Sequence, residues 1–303
     1  MLKEYSNIDS VKTISLTNDE KTNGVVIISH GMAEHMGRYS WLINKLNNDG
    51  YHVIGHDHRG HGKWIENGYE EGVFHSSNGW NLVVDDLINL IQFSHEEFPN
   101  QKHYLLAHSM GSYVALSAIT NNLHLSGLIL SGSSHISPVT LFIQKMLIKI
   151  IVLIKGRDKK SNFLDSITMR TFNDKFKPTQ TPNDWISTDM TNVEDYTNDP
   201  MCGFIASNGL WDDMASSFKS IYNKDHYSYS DHELPILIIS GDKDPVGEMG
   251  AGVNRLYEFL KSIFKNISFI LLKNERHEVF SGLDKNNTYL KLKSFLTDTK
   301  FTN

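Results

Sequence analysis

The segment YLLAHSMGS at residues 104–112 carries a short apolar run into Ser109, and a helix-like segment from Tyr113 to Asn122 follows. This order is typical of a nucleophile elbow, the pattern G-x-S-x-G on a sharp turn between a strand and a helix. Small residues two positions to either side of the serine, here Ala107 and Gly111, give a tight turn the room it needs. Such a turn exposes the serine hydroxyl and aims the N–H groups of the following helix at it. The alternative is a serine that caps an ordinary helix, so the rest of the chain must supply a base, an acid and an oxyanion site.

The composition indicates an ordinary globular protein and excludes several classes. The chain has 303 residues, of which 40% are hydrophobic and 21% charged, and its net charge of -6 offers no general basic surface for nucleic acid. Its single cysteine, Cys202, excludes an internal disulfide framework and fits a reducing compartment. The first residues lack the apolar core of a signal peptide, and no apolar run reaches the roughly 20 residues that span a bilayer. We therefore expect a cytoplasmic protein.

Strands and helices alternate through the first part of the chain. Strand-like runs at residues 11–16, 24–29, 51–54 and 128–130 are separated by helix-like segments at 39–48 and 80–98, with a turn at 18–20. The run at 24–29 is continuously apolar and rich in β-branched residues, as in a strand that is buried on both faces of a sheet. This alternation predicts an α/β sheet of mostly parallel strands with right-handed crossovers.

The alternation stops after Ser131 and resumes with a strand at residues 235–240. A connection of this length far exceeds the usual two to six residues and must have its own structure. We expect residues 136–230 to form an inserted cap over the carboxyl ends of the strands, where it would shape a substrate pocket. Residues 1–135 and 231–303 would form the core, which ends with a helix at 253–264, a strand at 267–272 and a helix at 287–297.

Candidates for the base and the acid follow two later strands. A serine hydroxyl becomes a good nucleophile when a histidine, itself oriented by a carboxylate, takes its proton. The strand at 235–240 runs into GDKDPV at 241–246, and the next strand runs into KNERHE at 273–278. His277 is the candidate base, and either Asp242 or Asp244 is the candidate acid. The alternative for His277 is a solvent-facing loop histidine.

Further motifs are typical of one family. They are SHGMAEH at 29–35 with Arg38 and Tyr39, DHRGHG at 57–62, and GDKDPVG at 241–247. With the elbow, they resemble the α/β-hydrolase superfamily, and specifically its monoacylglycerol lipase and lysophospholipase branch of the serine aminopeptidase S33 type. The motifs span residues 29–277, although Ala107 departs from the glycine of the pattern.

This resemblance implies a fold and a set of site residues. The fold would be a mostly parallel, eight-stranded α/β-hydrolase sheet with helices on both faces and an inserted helical cap. The catalytic residues would be Ser109, Asp244 (selected over Asp242) and His277. The backbone N–H groups of Met32 and Met110 would form the oxyanion hole. The resemblance singles out no substrate-binding residue within the cap, and it implies no cofactor.

The histidines of the first half suggest structural roles. His56, His58 and His61 lie on one short segment without a cysteine or carboxylate array, so we expect a hydrogen-bonded turn and no metal site. Asp57 and Arg59 are expected to form a structural ion pair. His30 is expected to hold the segment at residues 29–35, which contains Met32 and is called the oxyanion loop below.

The cap carries a clue to the substrate. Residues 139–154 are almost wholly apolar, and basic side chains gather at residues 155–160. This segment is either a helix packed on the core with a solvated lysine stripe or an interfacial helix that makes peripheral contact with a membrane. Both interpretations place apolar surface near the pocket and favour an acyl chain as part of the substrate.

The leading hypothesis is a serine ester hydrolase that acts on a small acyl ester, monoacylglycerol or lysophospholipid. An aminopeptidase or a thioesterase with the same triad is the first alternative, and Glu194, Asp195 and Asp199 are available to bind the α-ammonium of a peptide. A catalytically silent lipid-binding protein on the same fold is the alternative of another class.

Overall fold

The computed structural model describes residues 11–18 and 22–297, and within them one sheet organises the chain. Its strands are β1 (Lys12–Ser15), β2 (Gly24–Ser29), β3 (Tyr51–His56), β4 (His103–His108), β5 (Gly127–Ser131), β6 (Ile236–Gly241) and β7 (Ile267–Leu272). The order across the sheet is β1-β3-β2-β4-β5-β6-β7. β1 runs antiparallel to β3, and every other pair is parallel.

The mostly parallel sheet is as predicted, but the number of strands is not. Seven strands form within the described ranges, whereas the resemblance implied eight. The described residues before β2 contribute one strand, β1, which pairs with the outer edge of β3. The bounds of β2 and β7 agree with the predicted ones. Most of the predicted turn at 18–20 lies outside the described residues.

Eleven α-helices surround this sheet in the described part of the chain. They are α1 (Ser40–Asn48), α2 (Lys63–Glu66), α3 (Gly79–Glu97), α4 (Met110–Ala118), α5 (Pro138–Lys155), α6 (Asn162–Asp165), α7 (Thr171–Asp174), α8 (Met190–Asn198), α9 (Asn208–Ile221), α10 (Ala251–Lys261) and α11 (Lys285–Thr297). None of them is long and apolar enough to cross a bilayer.

Each face of the sheet carries its own apolar layer, because successive side chains of a strand point to opposite faces. On one face, Ile27 and Leu105 pack with apolar residues of α3, α4 and α10. On the other, Ile28 and Leu106 pack with α1 and α11. The sheet therefore has helices on both faces, as predicted.

The long connection between β5 and β6 is helical and contains α5 to α9. Its last helix, α9, shares the main apolar cluster with α3 and α4 through Leu210, Met214 and Phe218. α5 packs on α9 with its two buried residues, Ile148 and Ile151, in that same cluster. The inserted segment is thus joined to the core by a continuous apolar layer; its exact limits at residues 136 and 230 stay a prediction.

Candidate active site

The turn between β4 and α4 holds Ser109 in a strained conformation. β4 ends at His108 and α4 begins at Met110, so Ser109 is the N-cap residue of the helix, with φ 50° and ψ −120°. A positive φ is uncommon for a residue with a side chain and persists only where its surroundings impose it. The helix starts three residues earlier than the sequence indicated, because the turn consists of the serine alone.

Glycine is required on the helical side of this turn but not on the strand side. A Cβ atom at Gly111 would lie 2.3 Å from the carbonyl oxygen of Ser29, which is far inside van der Waals contact. Ala107, in contrast, is a fully buried strand residue that pairs with Ser29 and Leu130 on the neighbouring strands. The departure from glycine at residue 107 is therefore compatible with the elbow.

The candidate base and acid meet across the ends of β6 and β7. His277 Nδ1 lies 2.9 Å from Asp244 Oδ2, and both side chains are almost completely buried. Asp244 also accepts a hydrogen bond from the Val246 N–H (2.9 Å) through its other oxygen. Asp242 instead accepts from the Asn274 N–H (2.7 Å) and joins the two loops. The structure thus places Asp244, and not Asp242, against the imidazole.

Two opposing effects act on the pKa of His277. Burial lowers the pKa of His277, whereas the charge and hydrogen bond of Asp244 raise it, with smaller contributions from Glu278 and Glu34. The rise prevails, so the pKa of His277 lies above its ordinary value of 6.5. A base of this kind is half protonated at a pH above the pKa of free histidine and loses its function in acid.

Ser109 and His277 open into the same cavity. The described structure forms no hydrogen bond between Ser109 Oγ and the His277 ring, and in free enzymes such contacts are often long until a substrate binds. Two aromatic rings position the imidazole: those of His108 and Trp185 have their centroids 4.7 Å and 5.1 Å from its own.

The loop after β2 brings Met32 to this cavity, where it lies with Met110 and Ser109. Glu34 accepts a hydrogen bond from the Gly31 N–H and another from the Tyr39 hydroxyl (2.9 Å). His30 accepts from the His58 N–H at Nε2 (2.9 Å), so its Nδ1 donates to the carbonyl of Gly31 (2.7 Å). Burial lowers the pKa of His30 to about 3, which keeps it neutral and suits the loop-holding role expected of it.

The predicted ion pair between Asp57 and Arg59 is wrong. Asp57 accepts hydrogen bonds from the N–H groups of Met36 (2.8 Å) and Lys63 (2.9 Å), whereas Arg59 binds Asp86 on α3 at 2.7 Å. Asp57 and Arg59 are two residues apart on the loop after β3, and the loop directs them to different partners, so closeness in sequence does not make them a pair. The carboxylate is used to hold the backbone of two short helices.

A buried ion cluster beside the site was missed from the sequence. Arg38 donates to Glu278 (2.7 Å) and lies 3.6 Å from Glu34, and Asn192 of α8 donates to Glu278 at 2.7 Å. Glu34 and Arg38 were visible in the motif at residues 29–39. Their partner Glu278 adjoins His277, and nothing in the local sequence indicates that contact.

The loop at residues 273–278, which carries His277, also forms hydrogen bonds with the inserted segment. The Glu278 N–H donates to the carbonyl of Ile186 (2.6 Å), and Arg276 donates to the carbonyls of Ser187 (3.1 Å) and Asp184. Thr188 donates to Glu275 at 2.8 Å. The segment at 184–188 is therefore held to the loop that carries His277.

The cavity has a volume of about 560 Å³, within the usual range for small-molecule sites. Ser109 and His277 are part of its lining, and most of its wall comes from the inserted segment. The apolar wall residues include Leu147, Ile148, Leu164, Phe204, Ile205, Trp211, Met214 and Phe218.

Glu194 and Asp195, two of the carboxylates considered for a peptide substrate, are exposed and do not line this cavity. The third, Asp199, is 2.9 Å from His35 and also lies outside the cavity wall. The carboxylates that do reach the wall include Glu34 and Glu278, which are bound to the groups described above.

The parallel sheet, the strained serine after its central strand, and the buried histidine–aspartate pair at the same edge define an α/β-hydrolase. Comparison with known sequences is more specific. The chain belongs to the serine aminopeptidase S33 family, whose sequence model matches residues 20–284.

Its similarity to individual proteins lies in lipases and esterases. Monoglyceride lipase of Rattus norvegicus is 34% identical over 118 residues, which are 39% of this chain and 35% of that enzyme. The chain thus matches about a third of that relative's length. The monoglyceride lipase homolog of Monkeypox virus is 22% identical over 268 residues, covering 86% of this chain and 84% of the viral protein. A solved carboxyl esterase from Bacillus coagulans in complex with glycerol is 26% identical, with a TM-score of 0.83 over 94% of both chains.

These findings confirm the resemblance to the monoacylglycerol lipase and lysophospholipase branch and support the class of serine ester hydrolases.

Proposed function

We propose that this protein is a serine ester hydrolase that acts on single-chain acyl lipids, monoacylglycerol or lysophospholipid, through Ser109, His277 and Asp244. The observation that carries the proposal is one apolar cavity into which a strained serine and a carboxylate-bound histidine both open. The apolar wall suits an acyl chain, and the polar floor suits the ester group.

Each residue then has a defined role. Ser109 Oγ attacks the ester carbonyl while His277 Nε2 takes its proton, and the same nitrogen returns the proton to the leaving alcohol. Asp244 holds the Nδ1–H and stabilises the imidazolium. The N–H groups of Met32 and Met110 stabilise the oxyanion, at typically about 3 kcal/mol for each such donor. Water then attacks the acyl-enzyme by the same path in reverse.

The carboxylates of the site argue against the aminopeptidase alternative. Glu34 and Glu278 reach the cavity wall but are occupied by Gly31, Tyr39, Arg38 and Asn192. The two further wall carboxylates, Asp165 and Glu248, lie 3.5 Å from Arg170 and 2.5 Å from Arg255. An α-ammonium group would therefore have to displace a partner of one of these four carboxylates. The thioesterase alternative uses the same site, and only the leaving group distinguishes it.

The test is a substrate panel with Ser109→Ala as the reference variant. We expect hydrolysis of monoacylglycerols and lysophospholipids to exceed that of aminoacyl amides and acyl thioesters, and Ser109→Ala to lose about 10⁴-fold or more in kcat. A fluorophosphonate should label the native protein and not this variant. Ser262→Ala, which changes an exposed serine, is the matched control and should behave as the native protein.

Preferential cleavage of aminoacyl amides or thioesters would instead favour the first alternatives. A folded native protein that a fluorophosphonate fails to label would favour the catalytically silent lipid-binding protein.

We further propose that the inserted segment is a cap that contacts membranes through α5. Its large apolar side chains Val139, Phe142, Leu153 and Ile154 are 69–86% exposed. Lys149 and Lys155 on the same helix are exposed as well, and Phe163 follows on α6. An apolar face bordered by cations favours an anionic lipid surface, and α5 also lines the cavity through Leu147 and Ile148.

A further inference from the structure

Three metal-ligand side chains converge where the oxyanion loop meets the inserted segment. His35 follows β2, whereas Asp199 and Cys202 lie just after α8. One imidazole nitrogen, one carboxylate oxygen and the sulfur all lie within 4.8 Å of one another. Over residues 11–18 and 22–297, no other three histidine, cysteine or acidic side chains come together in this way.

The spacing of these atoms fits a tetrahedral ion. Zinc binds nitrogen, oxygen and sulfur at about 2.0–2.3 Å, which separates its ligand atoms by about 3.4 Å. The observed separations run from 2.9 Å, between His35 Nε2 and Asp199 Oδ2, to at most 4.8 Å.

We propose that His35, Asp199 and Cys202 bind a zinc ion, with a fourth position open to water. A soft thiolate with an imidazole and a carboxylate is a donor set that zinc accepts. The sequence places His56, His58 and His61 on one short segment, whereas the cluster in the structure joins His35 to two residues that lie more than 160 positions later.

Hydrogen bonds from neighbouring backbone N–H groups orient two of the three ligand side chains. Asp199 Oδ1 accepts a hydrogen bond from the Met201 N–H (2.8 Å), which leaves Oδ2 directed at His35. His35 Nδ1 accepts from the Gly37 N–H at 3.2 Å, so its ring proton is on Nε2. Zinc at Nε2 would move that proton to Nδ1 and displace the long, exposed Gly37 contact. The thiol proton of Cys202 would leave to solvent as the sulfur binds the metal.

The local charge favours a cation. Glu34 and Glu278, both buried, share one guanidinium, that of Arg38, and Asp199 adds a third carboxylate nearby. A divalent ion at the proposed site would offset the surplus of negative charge.

The site can be reached from solvent. His35, Gly37 and Met201 line a surface groove, and the side chains of His35 and Asp199 are 19% and 28% exposed. An ion bound here would replace the His35–Asp199 hydrogen bond by metal–ligand bonds. It would strengthen the connection between the oxyanion loop and the inserted segment, beside the hydrogen bond from the Gly203 N–H to the carbonyl of Ala33 (3.0 Å). Bound zinc should therefore raise the melting temperature.

The experiment uses untagged full-length protein with Co²⁺ as a spectroscopic probe. The chain has a single cysteine, so a near-ultraviolet band of thiolate-to-cobalt charge transfer can come only from Cys202. We expect this band at one equivalent of Co²⁺ and its loss when Zn²⁺ displaces the cobalt. Isothermal titration should give one zinc per chain.

Cys202→Ser and Asp199→Asn should each weaken zinc binding by at least about tenfold, since each removes a ligand. His226→Gln, a change of an exposed histidine far from the site in sequence, should leave it unchanged. Cobalt bound without the charge-transfer band, or zinc bound equally well by both ligand variants, would overturn the proposal. The native-protein spectrum decides the matter even if a variant fails to fold, and none of these measurements depends on ester hydrolysis.

Discussion

At the scale of single residues, the balance around His277 is the most informative feature of the site. Its ring is buried, which disfavours the imidazolium, yet Asp244 at 2.9 Å outweighs the cost of burial. The same contact fixes the proton on Nδ1 and leaves Nε2 free for the serine. One carboxylate thus sets both the tautomer and the pKa.

This balance predicts the pH dependence of the reaction. kcat/KM should fall as the pH drops through the pKa of His277, with a midpoint above 6.5, because the protonated ring cannot accept the serine proton. Asp244→Asn removes the effect that raises the pKa and leaves the burial that lowers it. The midpoint should therefore move to lower pH, and kcat should fall by about 10⁴-fold.

Asp242→Asn is the control for this prediction. Asp242 accepts from Asn274 and does not contact the imidazole, so its variant should keep the native midpoint. A profile that moves in the Asp242 variant and not in the Asp244 variant would reverse the assignment of the acid.

At the scale of elements, the junction of β4 and α4 requires glycine at residue 111 but tolerates alanine at residue 107, where the pattern has glycine. Gly111 faces the Ser29 carbonyl at a distance that no Cβ atom tolerates, whereas the methyl group of Ala107 is packed inside the sheet. The Ser29 carbonyl therefore limits which residue fits at position 111, whereas packing inside the sheet limits which residue fits at position 107.

Ala107→Gly should restore the family pattern without improving the enzyme. We expect a loss of about 1–2 kcal/mol in the free energy of unfolding, from the buried methyl group and from the greater flexibility of glycine in a strand. The value of kcat should stay at the native level, since the backbone of Ser109 is set by other contacts. Urea unfolding and ester hydrolysis measure the two effects, and a marked rise in kcat would show that the alanine distorts the turn.

The second element with a testable role is α5. Phe142→Glu and Leu153→Glu should each reduce co-sedimentation with anionic lipid vesicles by about tenfold or more, because each removes a side chain whose burial contributes about 1.5–3 kcal/mol. Hydrolysis of a short water-soluble ester should not change, since neither residue lines the cavity.

Leu290→Glu, which changes a 61% exposed leucine of α11, is the matched control for α5. Equal vesicle binding by all three variants would exclude α5 as the contact surface.

At the scale of the whole molecule, buried histidines link stability to pH. His30 and His61 are fully buried beside one another, and burial lowers the pKa of each to about 3. His56, His58 and His108 are also buried, and burial lowers the pKa of each. The folded protein keeps these rings neutral in conditions under which an unfolded chain protonates them.

Stability should therefore be highest above pH 6.5 and fall as the pH drops from 6.5 toward 3. His30 and His61 should each contribute a loss of about 2 kcal/mol at pH 5, since the unfolded chain binds protons that the folded one excludes. Four groups act in the opposite direction, because the pKa values of His277, Glu34, Asp165 and Asp213 are raised in the fold. The buried histidines outnumber them, so the net effect should be a loss.

Urea unfolding at pH 7 and pH 5 tests this prediction. His226→Gln, at an exposed position, should show the native pH dependence. Equal free energies of unfolding at the two pH values would contradict it.

Local sequence was enough to predict the α/β alternation, the bounds of β2 and β7 and the position of the serine turn. Those features depend on apolar periodicity and on steric limits between close neighbours in the chain, which the local sequence contains. Other features became visible only in the folded chain: the partners of Asp57 and Arg59, the contact of Arg38 with Glu278, the inclusion of α9 in the main core, and the meeting of His35 with Asp199 and Cys202. Each of these depends on which side chains packing brings together from distant elements, and short-range patterns do not encode that choice.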